Sequence, residues 1–212
     1  MKSLIPEKAR QRIVRKHSNG RNKLAHYYLH GEKVGYRKWT EEGRLYLEGT
    51  LRNGVDHGPF RHFYDNGEVQ WEGRFVNGKQ HGLARQYDYS GKLIGKSYWH
   101  KGTGLDLWYL EKGFLSEERH IVDGRWNGFE RWWNRDQRTV STETHFKDDL
   151  EHGIRREWNA MGKLKRGFPS YFVSGSRVTK RQYLSARMKD SSLPVFCEAD
   201  NKPNRKLPKV VA

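Results

Sequence analysis

The chain has a single cysteine, Cys197, so no disulfide can close within it and a reducing compartment is expected. Nowhere does it approach the ~20 consecutive apolar residues that a membrane helix needs. Its opening stretch, MKSLIPEKARQRIV, also lacks the apolar core of a signal peptide. A cytoplasmic location without a transmembrane segment follows as the expectation. Apolar residues make up 34% of the chain, thin for a two-layer core but suited to one sheet with a charged side. Constellations of chemistry are scarce as well. There is no Ser-His-Asp spacing, no glycine-rich phosphate loop ahead of a helix and no Cys/His cluster. The acidic residues are spread out, with no recognisable pair for acid–base work. No enzymatic activity, cofactor or metal is expected.

Glycine is abundant, and it is periodic. Gly43, Gly54, Gly58, Gly67, Gly78, Gly82, Gly91 and Gly102 are spaced 11, 4, 9, 11, 4, 9 and 11 residues apart, a period of 24. After a two-residue slip at Gly102-Thr103-Gly104 the rhythm resumes through Gly113, Gly124 and Gly128. Gln137 then stands where a turn glycine is expected, and Asp149 replaces another. A fixed period in this range marks a repeat array, in which each unit leans on its neighbours and function resides on a surface.

Within a unit, Val69, Trp71, Gly73 and Phe75 alternate with Glu68, Gln70, Glu72 and Arg74, the period of a strand. Loops such as Asp65-Asn66-Gly67 and Tyr89-Ser90-Gly91 share only their last residue. That favours a three-residue hairpin loop with the glycine left-handed. By the same logic Gln137 marks an altered loop, and Gln137→Gly is expected to be neutral or stabilising.

The loop length sets the register. Four residues before each turn stand Trp39, Phe63, Tyr87, Tyr109, Trp133 and Trp158. Two residues after it stand Leu45, Val69, Leu93, Leu115, Thr139 and Leu164, expected directly opposite the aromatics. Leu51, Phe75, Trp99 and Ile121, eight residues after it, are expected to continue the same apolar face.

Hairpins built on Y-x-x-x-G and N-G-x-x-x-G, here Tyr64…Asn66-Gly67 and Asn77-Gly78-Lys79-Gln80-His81-Gly82, resemble MORN repeats (membrane occupation and recognition nexus). The likeness covers about residues 30–168 and is nearest the bacterial variant found in YwqK-like antitoxins. It implies an all-β fold, an elongated single-layer antiparallel sheet of hairpins. It also implies a non-enzymatic scaffold for protein–protein interaction, with antitoxin or immunity activity as a specific form.

The expected organisation is a basic N-terminal cap over 1–19, the repeat sheet over 20–168, a hairpin plus capping helix over 169–190, and a mobile basic tail over 191–212. Thr179-Lys180-Arg181-Gln182 reads as a capping box opening that helix. Of the net charge of +16, thirteen charges sit in residues 1–24 and 177–212, and the body is nearly balanced. These basic ends offer a second reading, peripheral contact with nucleic acid or anionic membrane.

Two recurrences bear on a binding site. His57, His81 and His152 each precede a glycine. Copies one repeat apart lie two strand spacings, ~9–10 Å, from each other, too far to share a metal, so they read as turn residues. Six residues before the turns stand Arg61, Arg85, Arg131 and Arg156, with Arg37 earlier and Leu107 as the exception. With Phe63, Tyr87, Trp133 and Trp158 they form the candidate partner-binding stripe, since Arg, Trp and Tyr dominate binding hot spots.

Overall fold

The structure, a computed structural model, describes residues 2–209. The fold is mostly β, antiparallel throughout, with one short helix near the C-terminus. It divides into two compact units at the slip after Gly102.

Unit 1 holds β1 (Arg10–Lys16), β2 (Asn22–Leu29), β3 (Glu32–Trp39), β4 (Leu45–Arg52), β5 (Val55–Phe63), β6 (Val69–Val76), β7 (Lys79–Gln80), β8 (Gly82–Tyr87) and β9 (Leu93–His100). Consecutive strands pair, and β7 and β8 share β6 as their partner. Within this unit β1 pairs only with β2, and its Arg10, Arg12, Arg15 and Lys16 are exposed. Charged side chains on such a strand oppose edge-to-edge pairing with another chain.

Unit 2 holds β10 (Thr103–Tyr109), β11 (Leu115–Val122), β12 (Arg125–Trp133), β13 (Val140–Lys147), β14 (Leu150–Glu151), β15 (Gly153–Glu157), β16 (Ser170–Val173), β17 (Ser176–Val178) and α1 (Lys180–Arg187). The capping box is formed as expected: Thr179 Oγ1 accepts from the Gln182 backbone N–H, and the Gln182 side chain reaches back to the Thr179 backbone. Tyr183 of α1 is fully buried against Ile154, Tyr171 and Leu193, so the helix seals the last strands.

The hairpin loops follow the expected design. At Gly67, φ is +87°, the Gly67 N–H donates to the Tyr64 carbonyl at 3.1 Å, and the Tyr64 N–H donates to the Glu68 carbonyl at 2.8 Å. Phe63 then faces Val69, and Trp39, Tyr87 and Tyr109 face Leu45, Leu93 and Leu115 as the register requires. One column departs. Trp133 faces Val140 and not Thr139, because the loop closed by the Asn134 N–H on the Thr139 carbonyl is one residue longer.

A second departure recurs in the hairpins. Beyond the Phe63–Val69 pair the next pair is His62–Trp71, leaving Gln70 as an extra residue in β6. Tyr46, Ile94, Ser116 and Ser141 hold the same place in their hairpins. Such a bulge turns the rest of the strand over. Phe75 consequently packs edge-on against Phe60, with Trp71 also against Phe60, on the face opposite Arg61. The expected continuation of the aromatic column through Phe75 is thus broken by the bulge.

The recurring histidines stitch one turn to the next. Nδ1 of His57, His81 and His152 accepts the backbone N–H of Asn77, Lys101 and Ser174, at 3.4, 3.3 and 3.0 Å. Those three residues open tight turns with positive φ, so each histidine satisfies an amide that its own hairpin leaves free.

Candidate functional site

The bulge brings together residues that the bare alternation keeps apart. Were Gln70 paired in turn with His62, Arg61 would oppose Trp71; with Gln70 left out of the pairing, Arg61 opposes Glu72. The same shift pairs Arg37 with Glu48 and Arg131 with Glu143. Each predicted arginine therefore belongs to a ladder of arginines and glutamates.

In unit 1 the ladder runs through Arg37–Glu48 at 2.7 Å and Arg61–Glu72 at 3.3 Å. Glu72 also accepts from the Tyr87 hydroxyl at 2.7 Å and lies 3.7 Å from Arg85. Burial first, then this carboxylate, raises the Tyr87 pKa above its ordinary value. Opposite Arg85 stands Lys96, exposed, where the pattern calls for glutamate. The N-terminal segment lies over the ladder's start. Ser3 Oγ and the Leu4 N–H both donate to Glu48, and Arg61 donates to the Lys2 carbonyl. Ile5 packs with Ala25 and Tyr27 and rests on Gly35, where any Cβ would collide with it.

In unit 2 the same face is core. Trp133 and Trp158 are buried with Leu107, Leu115 and Val140. Glu118, opposite Leu107, accepts from the Trp133 indole at 3.1 Å and from His120 at 2.9 Å. Glu143 is the hub: Arg131 reaches it at 2.8 Å, Arg156 at 3.3 Å and Arg205 at 2.7 Å. Burial pushes the Glu143 carboxyl up, but the Arg205 hydrogen bonds and charge, followed by Arg131, outweigh it and hold the pKa at about 2. Trp158 donates its indole N–H to the Asn201 carbonyl at 2.6 Å, and the Arg205 guanidinium lies over its ring. Residues 201–205, expected in a mobile tail, thus clasp the ladder of this unit.

The eight predicted residues accordingly fall into two sets. Arg61, Phe63, Arg85 and Tyr87 are partly exposed on unit 1. Trp133, Arg156 and Trp158 are buried in unit 2, with Arg131 between two glutamates. The glutamates themselves escaped sequence reasoning, though their fixed offset of five from the turn glycine at Glu48, Glu72 and Glu118 was there to be read.

No family model matches this chain, and no curated protein matches it either.

The reverse face of unit 2 is open. Thr142 and Thr144 of β13 form a low floor between the larger side chains of β12 and β15. Over this floor is a groove of about 340 Å³, walled by Trp132 and Phe146 and lined by Glu130, Glu151, Arg155 and Glu157. Trp132 is 44% exposed. Arg155 bridges Glu157 at 2.7 Å and Glu151 at 3.3 Å. Beside Glu130, Arg119 is ringed by Asp106, Glu117 and Glu130. Burial raises the pKa of both Asp106 and Glu117, only partly countered by the Trp108 indole N–H at Asp106 and by Arg119. Sequence reasoning missed this face because its residues fall between the columns that it counted. Among the described residues no three His, Cys, Asp or Glu side chains gather as a metal site, and no helix is long and apolar enough to cross a membrane.

Proposed function

We propose that this protein is a non-enzymatic repeat scaffold of the MORN type that its turns resemble, and that it works by holding a protein partner. An antitoxin or immunity role is the specific form that the resemblance suggests. The observation that carries the reading is Trp132, a large indole left 44% exposed beside an open groove while the neighbouring Trp133 is buried. Exposed aromatics at the centre of a concave patch are where interface energy concentrates. A shallow depression on one face of a sheet suits a protein segment better than a small molecule, which binds best when most of its surface is enclosed.

Capture of a partner from the native cell by the tagged chain, compared with Trp132→Ala, tests this. Loss of capture with unchanged circular dichroism supports the reading. Undiminished capture by a folded Trp132→Ala chain overturns this surface as the interface.

A further inference from the structure

The groove differs in charge from the chain that carries it. Asp106, Glu117, Glu130, Glu151 and Glu157 share this face, against Arg119, Arg155, Lys165 and, at its edge, Arg177. This is a local acidic surplus on a protein of net charge +16. The acids form two poles. One surrounds Arg119, where Asp106, Glu117 and Glu130 outnumber the single guanidinium. The other is Glu151 with Glu157, on the far side of β13, a pair that Arg155 and Lys165 already balance. Glu130 and Glu157 stand on the two strands flanking β13, opposite Thr144 and Thr142, about 12 Å apart by two strand spacings and a two-residue offset. Between the poles the walls are aromatic, Trp132 and Phe146.

Carboxylates around exposed aromatic rings recognise cations, because the ring face and the acid both attract positive charge. A guanidinium fits best: it stacks flat on an indole and takes a carboxylate with two parallel N–H donors, which an ammonium cannot do. Alternate side chains of an extended segment lie ~6.5–7 Å apart, and the length of arginine makes up the remaining distance to both poles. We infer that the groove on the reverse face of unit 2 takes an extended, arginine-bearing segment of a protein partner, with Trp132 stacked on one guanidinium and the surplus carboxylates around Arg119, Glu130 foremost, holding its charges. This rests on the scaffold reading above and adds the chemistry of the partner.

The probe is a blocked Arg-Ser-Arg-Ser-Arg pentapeptide titrated into the full chain by calorimetry, beside its Glu-Ser-Glu-Ser-Glu counterpart. The chain's overall positive charge repels the first and attracts the second elsewhere, so preference for the arginine peptide reports the groove. The expected result is binding of the arginine peptide that weakens about ten-fold or more in Glu130→Gln/Glu157→Gln and in Trp132→Ala, and weakens with added salt. If the double variant fails to fold, Trp132→Ala alone decides. Failure of the arginine peptide to bind, or equal binding to the folded variants, overturns the inference. If the peptide fails while Trp132→Ala still abolishes capture of the native partner, the scaffold reading stands and only the basic chemistry falls.

Discussion

Arg61 and Glu72 meet across β5 and β6, at 3.3 Å, because Gln70 is a residue too many. Slipping a strand by one residue exchanges its two faces. Deleting Gln70 removes only the extra residue and should leave Arg61 opposite Glu72. Inserting one residue between Trp71 and Glu72 is instead expected to set Glu72 opposite Phe60 and to break its pair with Arg61. Breaking a partly buried ion pair and burying an acid among rings costs several kcal/mol. Urea unfolding is the measurement, and an insertion variant as stable as the parent would mean that this register does not fix the two faces.

Gln137 reverses the sequence-based expectation for it. Its φ is +55°, the left-handed region that glycine favours. Yet its side chain accepts the Leu115 N–H at 2.8 Å and donates to the Leu115 carbonyl at 2.9 Å. Removing the amide leaves both groups of a buried residue unpaired, at about 1–3 kcal/mol each, against roughly 1 kcal/mol of backbone relief. Gln137→Gly is thus expected to destabilise by about 1 kcal/mol or more. Gly67→Val, where only the φ of +87° is at stake, should destabilise by at least about 1 kcal/mol for the opposite reason. Thermal melts of the two variants check both.

Arg205→Ala is expected to lower the stability of unit 2 by about 2–3 kcal/mol, the lower side of a broken buried pair, since Glu143 keeps Arg131 and Arg156. Arg44→Ala, which breaks an exposed pair with Asp65, should change stability by less than about 1 kcal/mol. Chemical denaturation followed by tryptophan fluorescence distinguishes them, and equal effects would deny Glu143 its role as hub.

Acid should weaken unit 2 in two steps, the second opposed in part by Asp106 and Glu117, whose raised pKa favours the folded state as pH falls. Burial holds His145 at about 4, below its ordinary 6.5, while its Nδ1–H donates to the Ile154 carbonyl. The unfolded chain then binds the extra proton, so stability falls as pH drops from 6.5 toward 4. Glu143, lowered from 4.5 to about 2, adds a second loss between those values, with the same sign. Each step is at most about 3 kcal/mol. His145→Gln is expected to shrink the first step, leaving the part due to His152, whose pKa burial also lowers, and to spare the second, as read from urea midpoints at pH 7.5, 5 and 3.

The turns were legible in the sequence because a left-handed residue at a fixed interval is a local requirement, and Gly67 shows it without help from the rest of the chain. The aromatic column followed, since loop length sets the first pair. Legibility ended one residue later, at Gln70, because nothing local distinguishes a bulged residue from a paired one. Every face assignment beyond it inverted, hiding Glu72 and Glu143 as partners and the acids around Trp132 as neighbours. The docking of Ile5 and Arg205 lay out of reach for a different reason: the contacts are long-range, and these segments carry no period.

The clasp at Glu143 also has an order in time. Arg205 lies 62 residues beyond it, so during synthesis, at roughly 5–20 residues per second, it follows by about 3–12 s. Through that interval the hub carboxylate and the Trp158 indole are made but unsealed. The repeats can pair as they emerge, while unit 2 waits for a segment beyond them, and of the three guanidiniums at Glu143 the last to be translated is the one that locks it.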